Sequence, residues 1–289
     1  MKYIYYPGCS LKGSGRAYEE SLLPIFETLQ IPMEELKEWN CCGATAYMSV
    51  DETRAFALAA RNLALAEEVG SGEPGVPATI VAPCNACYLV LSKAKKYIEE
   101  NRQLGRTIRA ALKAGDLEYR GTALVRHPLD ILVNDVGLDK IKAAVKHPLK
   151  GLRVAPYYGC QIVRPYATFD DQFFPMTMDL LLSAVGAEVV NYPLKTRCCG
   201  GSLTGTIPEV GVPLNFILLK EAKKRKADVV ATACPLCQFN LECYQDKMEE
   251  PIKMPVAYFT QLVGLALGVP KEKLGFNHTF VQPALALVI

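Results

Sequence analysis

Histidine is scarce in this chain, with three among 289 residues, and there is a single tryptophan. Imidazole therefore has little part to play in any metal site, which turns attention to other donors. An excess of charge of one sign is also missing. Lys and Arg number 32 against 30 Asp and Glu, a formal charge of +2, so no strong field favours nucleic acid or an anionic membrane surface. No long hydrophobic run is present. The longest, residues 256–269, is interrupted by Thr260 and Gln261 and falls short of the ~20 apolar residues that span a bilayer. The opening residues carry no secretory h-region, so the expected location is cytoplasmic. There is no GxGxxG or phosphate loop, no flavin motif and no C-x2-C-x2-C-x3-C ferredoxin run. Any electrons the chain uses must then arrive from another protein.

Cysteine is abundant. Of 11 cysteines, all but Cys243 form one pattern written twice. The first copy is Cys9, Cys41-Cys42-Gly43 and Cys84-Asn85-Ala86-Cys87; the second is Cys160, Cys198-Cys199-Gly200 and Cys234-Pro235-Leu236-Cys237. The repeat extends into the flanks, where Tyr3-Ile4-Tyr5-Tyr6-Pro7-Gly8-Cys9 resembles Arg153-Val154-Ala155-Pro156-Tyr157-Tyr158-Gly159-Cys160 and Thr79-Ile80-Val81-Ala82-Pro83-Cys84 resembles Val229-Val230-Ala231-Thr232-Ala233-Cys234. Gene duplication is the simplest origin, and it implies two halves related by a pseudo-two-fold axis. In a cytoplasmic setting, clustered thiols bind metal or do redox work rather than form a disulfide framework. Adjacent cysteines can both face one inorganic group if the chain turns sharply, and the glycine after each pair permits that turn.

Each half reads as alternating strands and helices. In the first, residues 2–6 form a strand, 15–29 a helix containing Pro24, 51–69 a helix capped by Asp51, 79–82 a buried strand and 85–99 a helix. In the second, strands are expected at 152–157, 188–192 and 228–232, and helices at 176–185, 214–226 and 236–245. The fold class is therefore α/β, with a small parallel sheet flanked by helices in each half. The cysteines fall at the carboxyl ends of strands, the edge where open α/β sheets bind ligands. Residues 1–100 and 151–289 are the expected domains, the second with a C-terminal helical extension. Residues 101–150 are expected as a charged helical connector. The apolar residues 280–289 are a candidate cover for a partner.

A tetrahedral zinc site takes four ligands, which leaves Cys9 and Cys160 without a task. Ten soft thiols favour iron–sulfur chemistry instead. Cys243, outside the repeat, reads as a buried free thiol.

The two Cys-Cys-Gly motifs, together with Ala155-Pro156-Tyr157-Tyr158-Gly159-Cys160-Gln161 and Cys234-Pro235-Leu236-Cys237-Gln238-Phe239-Asn240, carry a resemblance. The chain resembles the B subunits of heterodisulfide reductase, members of the cysteine-rich CCG-domain family. That resemblance implies a noncubane [4Fe-4S] cluster in each half. Cys9, Cys41, Cys42, Cys84 and Cys87 would hold one, and Cys160, Cys198, Cys199, Cys234 and Cys237 the other. It also implies a disulfide or thiol substrate, with one electron delivered by each cluster, and two partners: a ferredoxin-like C subunit and a flavin-containing A subunit. Two other classes remain open. One is a non-catalytic electron-transfer or anchoring subunit of a dehydrogenase complex, and the other a zinc-stabilised interaction protein.

Among single residues, His127 is a candidate proton donor because histidine titrates near neutral pH. Arg164, Lys195 and Arg197 flank cysteines and are candidates for binding an anionic group of the substrate; the alternatives are that they offset cluster charge or are simply solvated. Trp39 and the tyrosines near the cysteines are expected to shield the clusters from water.

Overall fold

The computed structural model describes residues 2–44, 46–250 and 252–281. They fall into two compact units. The first runs to Cys9 and resumes from Ile31 to Pro128; the second comprises Ser10–Gln30 and the chain from Leu129 onward.

The first unit is built on β1 (Tyr3–Tyr5), β2 (Met33–Glu35), β3 (Thr79–Val81) and β4 (Leu124–Arg126), all parallel in the order β2-β1-β3-β4. β1 and β3 are central and every residue in them is buried, while β2 at the edge is largely exposed. That is why the central strands read as unbroken apolar runs and β2, Met-Glu-Glu, carries no strand signal. The Glu52–Val69, Asn85–Glu100 and Arg102–Lys113 helices pack together beside the sheet. The first begins where the Asp51 carboxylate accepts from the Arg54 N–H at 3.0 Å, a cap that satisfies an otherwise orphaned donor. Its stripe of Phe56, Ala59, Ala60, Leu63 and Ala66 is fully buried.

The second unit repeats the plan. β5 (Arg153–Tyr157), β6 (Glu188–Val189), β7 (Val229–Thr232) and β8 (Val256–Tyr258) are parallel in the order β6-β5-β7-β8. The two sheets thus share one topology, strand for strand. In each sheet the strand order reverses between the two central strands, β1 and β3 or β5 and β7, the switch point at which open α/β sheets leave a crevice for ligands.

The structure departs from expectation in instructive places. The Arg16–Thr28 helix, expected in the first half, belongs to the second unit. There it packs on the Phe259–Ala266 helix: Tyr18 stacks on Tyr258 with ring centroids 4.5 Å apart, and the Ser21 and Thr260 hydroxyls lie 2.6 Å apart. The buried Leu22, Ile25 and Phe26 show in sequence that the helix has an apolar face, but not which sheet receives it. Residues 101–150 are shared out rather than set apart: Arg102–Lys113 and β4 complete the first unit, and the Leu138–Ala144 helix belongs to the second. The unexpected strands β2, β4 and β8 all lie at sheet edges: β2 and β4 are partly or largely exposed, and β8 runs directly into the apolar Phe259–Ala266 helix. The helix expected at 214–226 starts at Pro208, which occupies the first turn where its missing N–H costs nothing. Of the residues 280–289, only Phe280 and Val281 lie within the described chain.

Candidate metal centres

In the first unit, Cys9 follows β1 and Cys84 follows β3, so the switch-point crevice is flanked by cysteine on both sides. Cys160 after β5 and Cys234 after β7 do the same in the second. Cys84 and Cys234 stand at the N-caps of the Asn85–Glu100 and Pro235–Cys243 helices, where the macrodipole favours a thiolate. Cys87 and Cys237 lie one turn further on.

The adjacent pairs are brought in by turns that need glycine. Gly43 has φ +78° and Gly200 φ +89°. A Cβ on Gly43 would stand 3.0 Å from Ala55 Cα, and one on Gly200 2.5 Å from Thr204 Oγ1. The same turns direct backbone N–H groups at sulfur. Gly43 and Ala44 donate to Cys41 and Cys42; Gly200 and Gly201 donate to Cys198 and Cys199, with Gly200 N 3.3 Å from Cys198 Sγ. Concavities of successive N–H groups are a usual cradle for anionic and iron–sulfur groups.

The two sites also share a graded burial. Cys42, Cys84 and Cys87 are buried while Cys9 and Cys41 are exposed; Cys199, Cys234 and Cys237 are buried while Cys198 is exposed and Cys160 half-buried. Cys42 and Cys87 sulfurs are 3.3 Å apart and those of Cys199 and Cys237 3.4 Å. Cys41, accepting from Cys42, Cys9 and the Gly43 N–H, is lowered to about 2. Donating that bond to Cys41, together with burial, pushes Cys42 up to about 12. Cys198 is lowered to about 6 by hydrogen bonds from Cys160 and the Gly200 N–H and by the charge of Arg164. At the open face of each site one cysteine thus has its ionised form favoured by the bonds it accepts. In the floor of each a thiol, Cys87 or Cys237, is held neutral by bonds to neighbouring sulfurs and by burial. The contacts run pairwise along the set; among the described residues no group of three or more His, Cys, Asp or Glu closes on a single metal ion.

A tyrosine supports each site from beneath. Tyr6 Oη donates to the carbonyl of Asn40 at 2.8 Å and Tyr157 Oη to that of Arg197 at 2.7 Å, in both cases the residue before the cysteine pair. Both stand three residues before the first cysteine of their half, within the repeated flanks, where sequence points to shielding and the structure adds the bond to the cysteine pair. Burial first, then the charges of the neighbouring cysteines, raises both phenols far above their usual range. Trp39 packs edge-on against Tyr6 at 5.9 Å.

The other expected residues divide. His127 is fully buried, its Nε2–H donating to the Pro83 carbonyl at 2.9 Å, and so braces the turn that presents Cys84. Lys195 is buried and its Nζ sits 2.7 Å from Asp179 Oδ1 and 2.9 Å from the Pro175 carbonyl. Asp179 Oδ2 in turn accepts from Tyr158 Oη at 2.6 Å, and the Lys195 carbonyl accepts from the N–H groups of Tyr158 and Gly159. This lysine locks the approach to Cys160. Arg164 donates to the Thr196 carbonyl, and its charge bears on Cys198. Arg197 is exposed beside Cys198. Cys243 is half-buried rather than enclosed, and burial raises it to about 11.

Five soft sulfur donors, with backbone N–H groups aimed at four of the ten thiols, fit an iron–sulfur cluster in each unit. Comparison with known proteins leads the same way. The family model described as the CCG cysteine-rich domain matches residues 3–92 and 154–242. The chain is 33% identical over 287 residues to the 8-methylmenaquinol:fumarate reductase membrane anchor subunit of Wolinella succinogenes, covering 97% of each. It is 32% identical to an Archaeoglobus profundus protein described as like the B subunit of heterodisulfide reductase, over 94% of this chain and 93% of that one. The B subunit of the ferredoxin/F(420)H(2)-dependent CoB-CoM heterodisulfide reductase of Methanosarcina acetivorans is 29% identical, over 97% and 94%. A hypothetical protein from Helicobacter pylori, solved by crystallography, has the same fold with a TM-score of 0.76 at 13% identity; 97% of this chain matches about half, 52%, of that one.

Proposed function

This chain belongs to the cysteine-rich CCG-domain family, and from that footing we propose that it is the disulfide-handling subunit of a heterodisulfide reductase-type complex. At the coarser level it is a subunit of a reductase complex, as its relatives' names describe, and its two cysteine sets make it an iron–sulfur one. Cys9, Cys41, Cys42, Cys84 and Cys87 hold one noncubane [4Fe-4S] cluster, and Cys160, Cys198, Cys199, Cys234 and Cys237 the other.

The observation that carries this reading is the graded burial repeated in both units. Three buried thiols would fix a cluster, while the less buried two, both exposed in the first unit and one exposed and one half-buried in the second, keep one side of it approachable. A subunit that only relays electrons has no need of an open face at both sites. The overall change is RSSR′ plus two electrons and two protons to RSH plus R′SH. Bound clusters supply the one-electron transfers that such a reduction needs in pairs. The chain's own residues do the rest. Tyr6 and Tyr157 fix the cysteine pairs and keep water from beneath them, and His127 holds the Cys84 turn. Arg164 and Arg197 set positive charge at the open edge of the second site, where an anionic substituent of the substrate would bind. Electrons enter from a ferredoxin-like subunit fed by a flavin subunit.

A second reading has its own support. The Wolinella relative is named a membrane anchor subunit of a fumarate reductase, which favours an electron-transfer or anchoring role. No helix among the described residues is long and apolar enough to cross a membrane. Electron paramagnetic resonance on the anaerobically loaded protein, with and without a small thiol, separates the two. A signal reshaped by thiol supports disulfide chemistry, and a signal indifferent to every thiol and disulfide offered supports electron relay.

A further inference from the structure

The two sites are alike in thiols but not in what surrounds the buried member of each cysteine pair. Asn240, 2% exposed on the Pro235–Cys243 helix, directs its side-chain amide at the second site. Its Nδ2 lies 2.8 Å from the Gly201 carbonyl, 3.3 Å from the Cys199 carbonyl and 3.4 Å from Cys199 Sγ. An amide with two hydrogens can satisfy a carbonyl and still present an N–H to the sulfur. Asn240 stands six residues after Cys234. Six residues after Cys84 in the first unit stands Val90, buried and without a donor. Apart from Asn240, the turn at Cys199 is held by Thr204, whose Oγ1 donates to the Cys199 carbonyl at 3.0 Å and accepts from Asn215 Nδ2 at 3.3 Å. Thr204 makes no contact with the sulfur among these bonds, so the turn and the N–H···S contact can be perturbed separately.

A hydrogen bond to a cluster thiolate is worth more when the cluster carries the extra electron, because the added negative charge is spread onto the sulfur. Such bonds therefore raise the reduction potential. We propose that Asn240 is a positioning residue acting through Cys199, which raises the potential of the cluster in the second unit, whereas Val90 at the matching position of the first unit cannot do so. This rests on the iron–sulfur reading above and adds that the two clusters are electronically unequal.

The test is an anaerobic potentiometric titration followed by electron paramagnetic resonance, with iron counted per chain, on wild type, Asn240→Val, Asn240→Asp and Thr204→Val. The expected result is that one of two reduction waves moves to lower potential in both Asn240 variants. The equilibrium for reducing that cluster should fall about tenfold, which is ~59 mV for one electron. The other wave should stay in place, and Thr204→Val should move neither. An Asn240→Val protein with full iron and an unmoved wave overturns the proposal while leaving the iron–sulfur reading intact. So does an equal shift in Thr204→Val, which would make the effect one of turn geometry. If Asn240→Val does not load, the same-shaped Asn240→Asp is read in its place; loss of iron from both, with Thr204→Val loaded, makes Asn240 structural and overturns the proposal. Wild type without iron would sink the underlying reading itself.

Discussion

Replacing Lys195 with methionine separates two roles that sequence could not tell apart. In the structure its ammonium is spent: Asp179 Oδ1 lies 2.7 Å away, and the two side chains are 9% and 10% exposed. Methionine would fill much of the same space and leave the Asp179 carboxylate buried with the Tyr158 hydroxyl as its remaining side-chain partner. Breaking a buried pair by removing one member costs about 3–5 kcal/mol. The retained Tyr158 bond places this case near the lower end, about 3 kcal/mol. Because the chain comprises two units, a single global unfolding energy is not well defined, so the readout should be local. The Tyr158 and Gly159 amides donate to the Lys195 carbonyl at 2.9 and 3.0 Å. At about 1.4 kcal/mol per tenfold, their hydrogen exchange should quicken by roughly a hundredfold or more. Changing Asp179 to leucine as well should recover most of the loss, since apolar replacements of a buried pair are often neutral. Arg197→Met, at an exposed position, should stay within about 0.5 kcal/mol of wild type. A Lys195→Met protein with unchanged amide exchange but weakened substrate binding would refute the bracing role and restore the substrate-binding one.

Gly200→Ala should be poorly tolerated, because alanine at φ +89° is strained and its Cβ would lie 2.5 Å from Thr204 Oγ1; we expect a loss of at least ~1–2 kcal/mol and, in the loaded protein, roughly half the iron, read by metal analysis. Ser21→Ala should loosen the Arg16–Thr28 helix by about 1 kcal/mol, since it removes the 2.6 Å partner of the buried Thr260 hydroxyl. Hydrogen exchange of that helix and of the Phe259–Ala266 helix should quicken together, and an effect confined to one of them would contradict their packing.

Much of this molecule was legible in its sequence because the signals were local. The glycine after each cysteine pair needs a positive φ wherever that turn occurs. The apolar runs of β1, β3, β5 and β7 have the same appearance in any parallel sheet. What escaped was long-range. Nothing within residues 10–30 indicates that this helix completes the other unit, because an apolar stripe does not name its partner. Lys195 looked free beside Cys198 because Asp179, 16 residues earlier, gives no sign of turning inward. β2 and β4 give no signal because they are edge strands without the buried apolar run of the equally short β1 and β3, and β8 merges in sequence with the apolar helix that follows it. Asn240 was visible only as part of a family-like run, and its difference from Val90 gained meaning once Cys199 was placed beside it.

The most direct test of the central claim is a count of iron, acid-labile sulfide and zinc in protein purified without exposure to oxygen. Two four-iron clusters on two five-thiol sites predict about eight irons and eight sulfides per chain, with no zinc. Stoichiometric zinc with no iron in the same preparation would contradict the account.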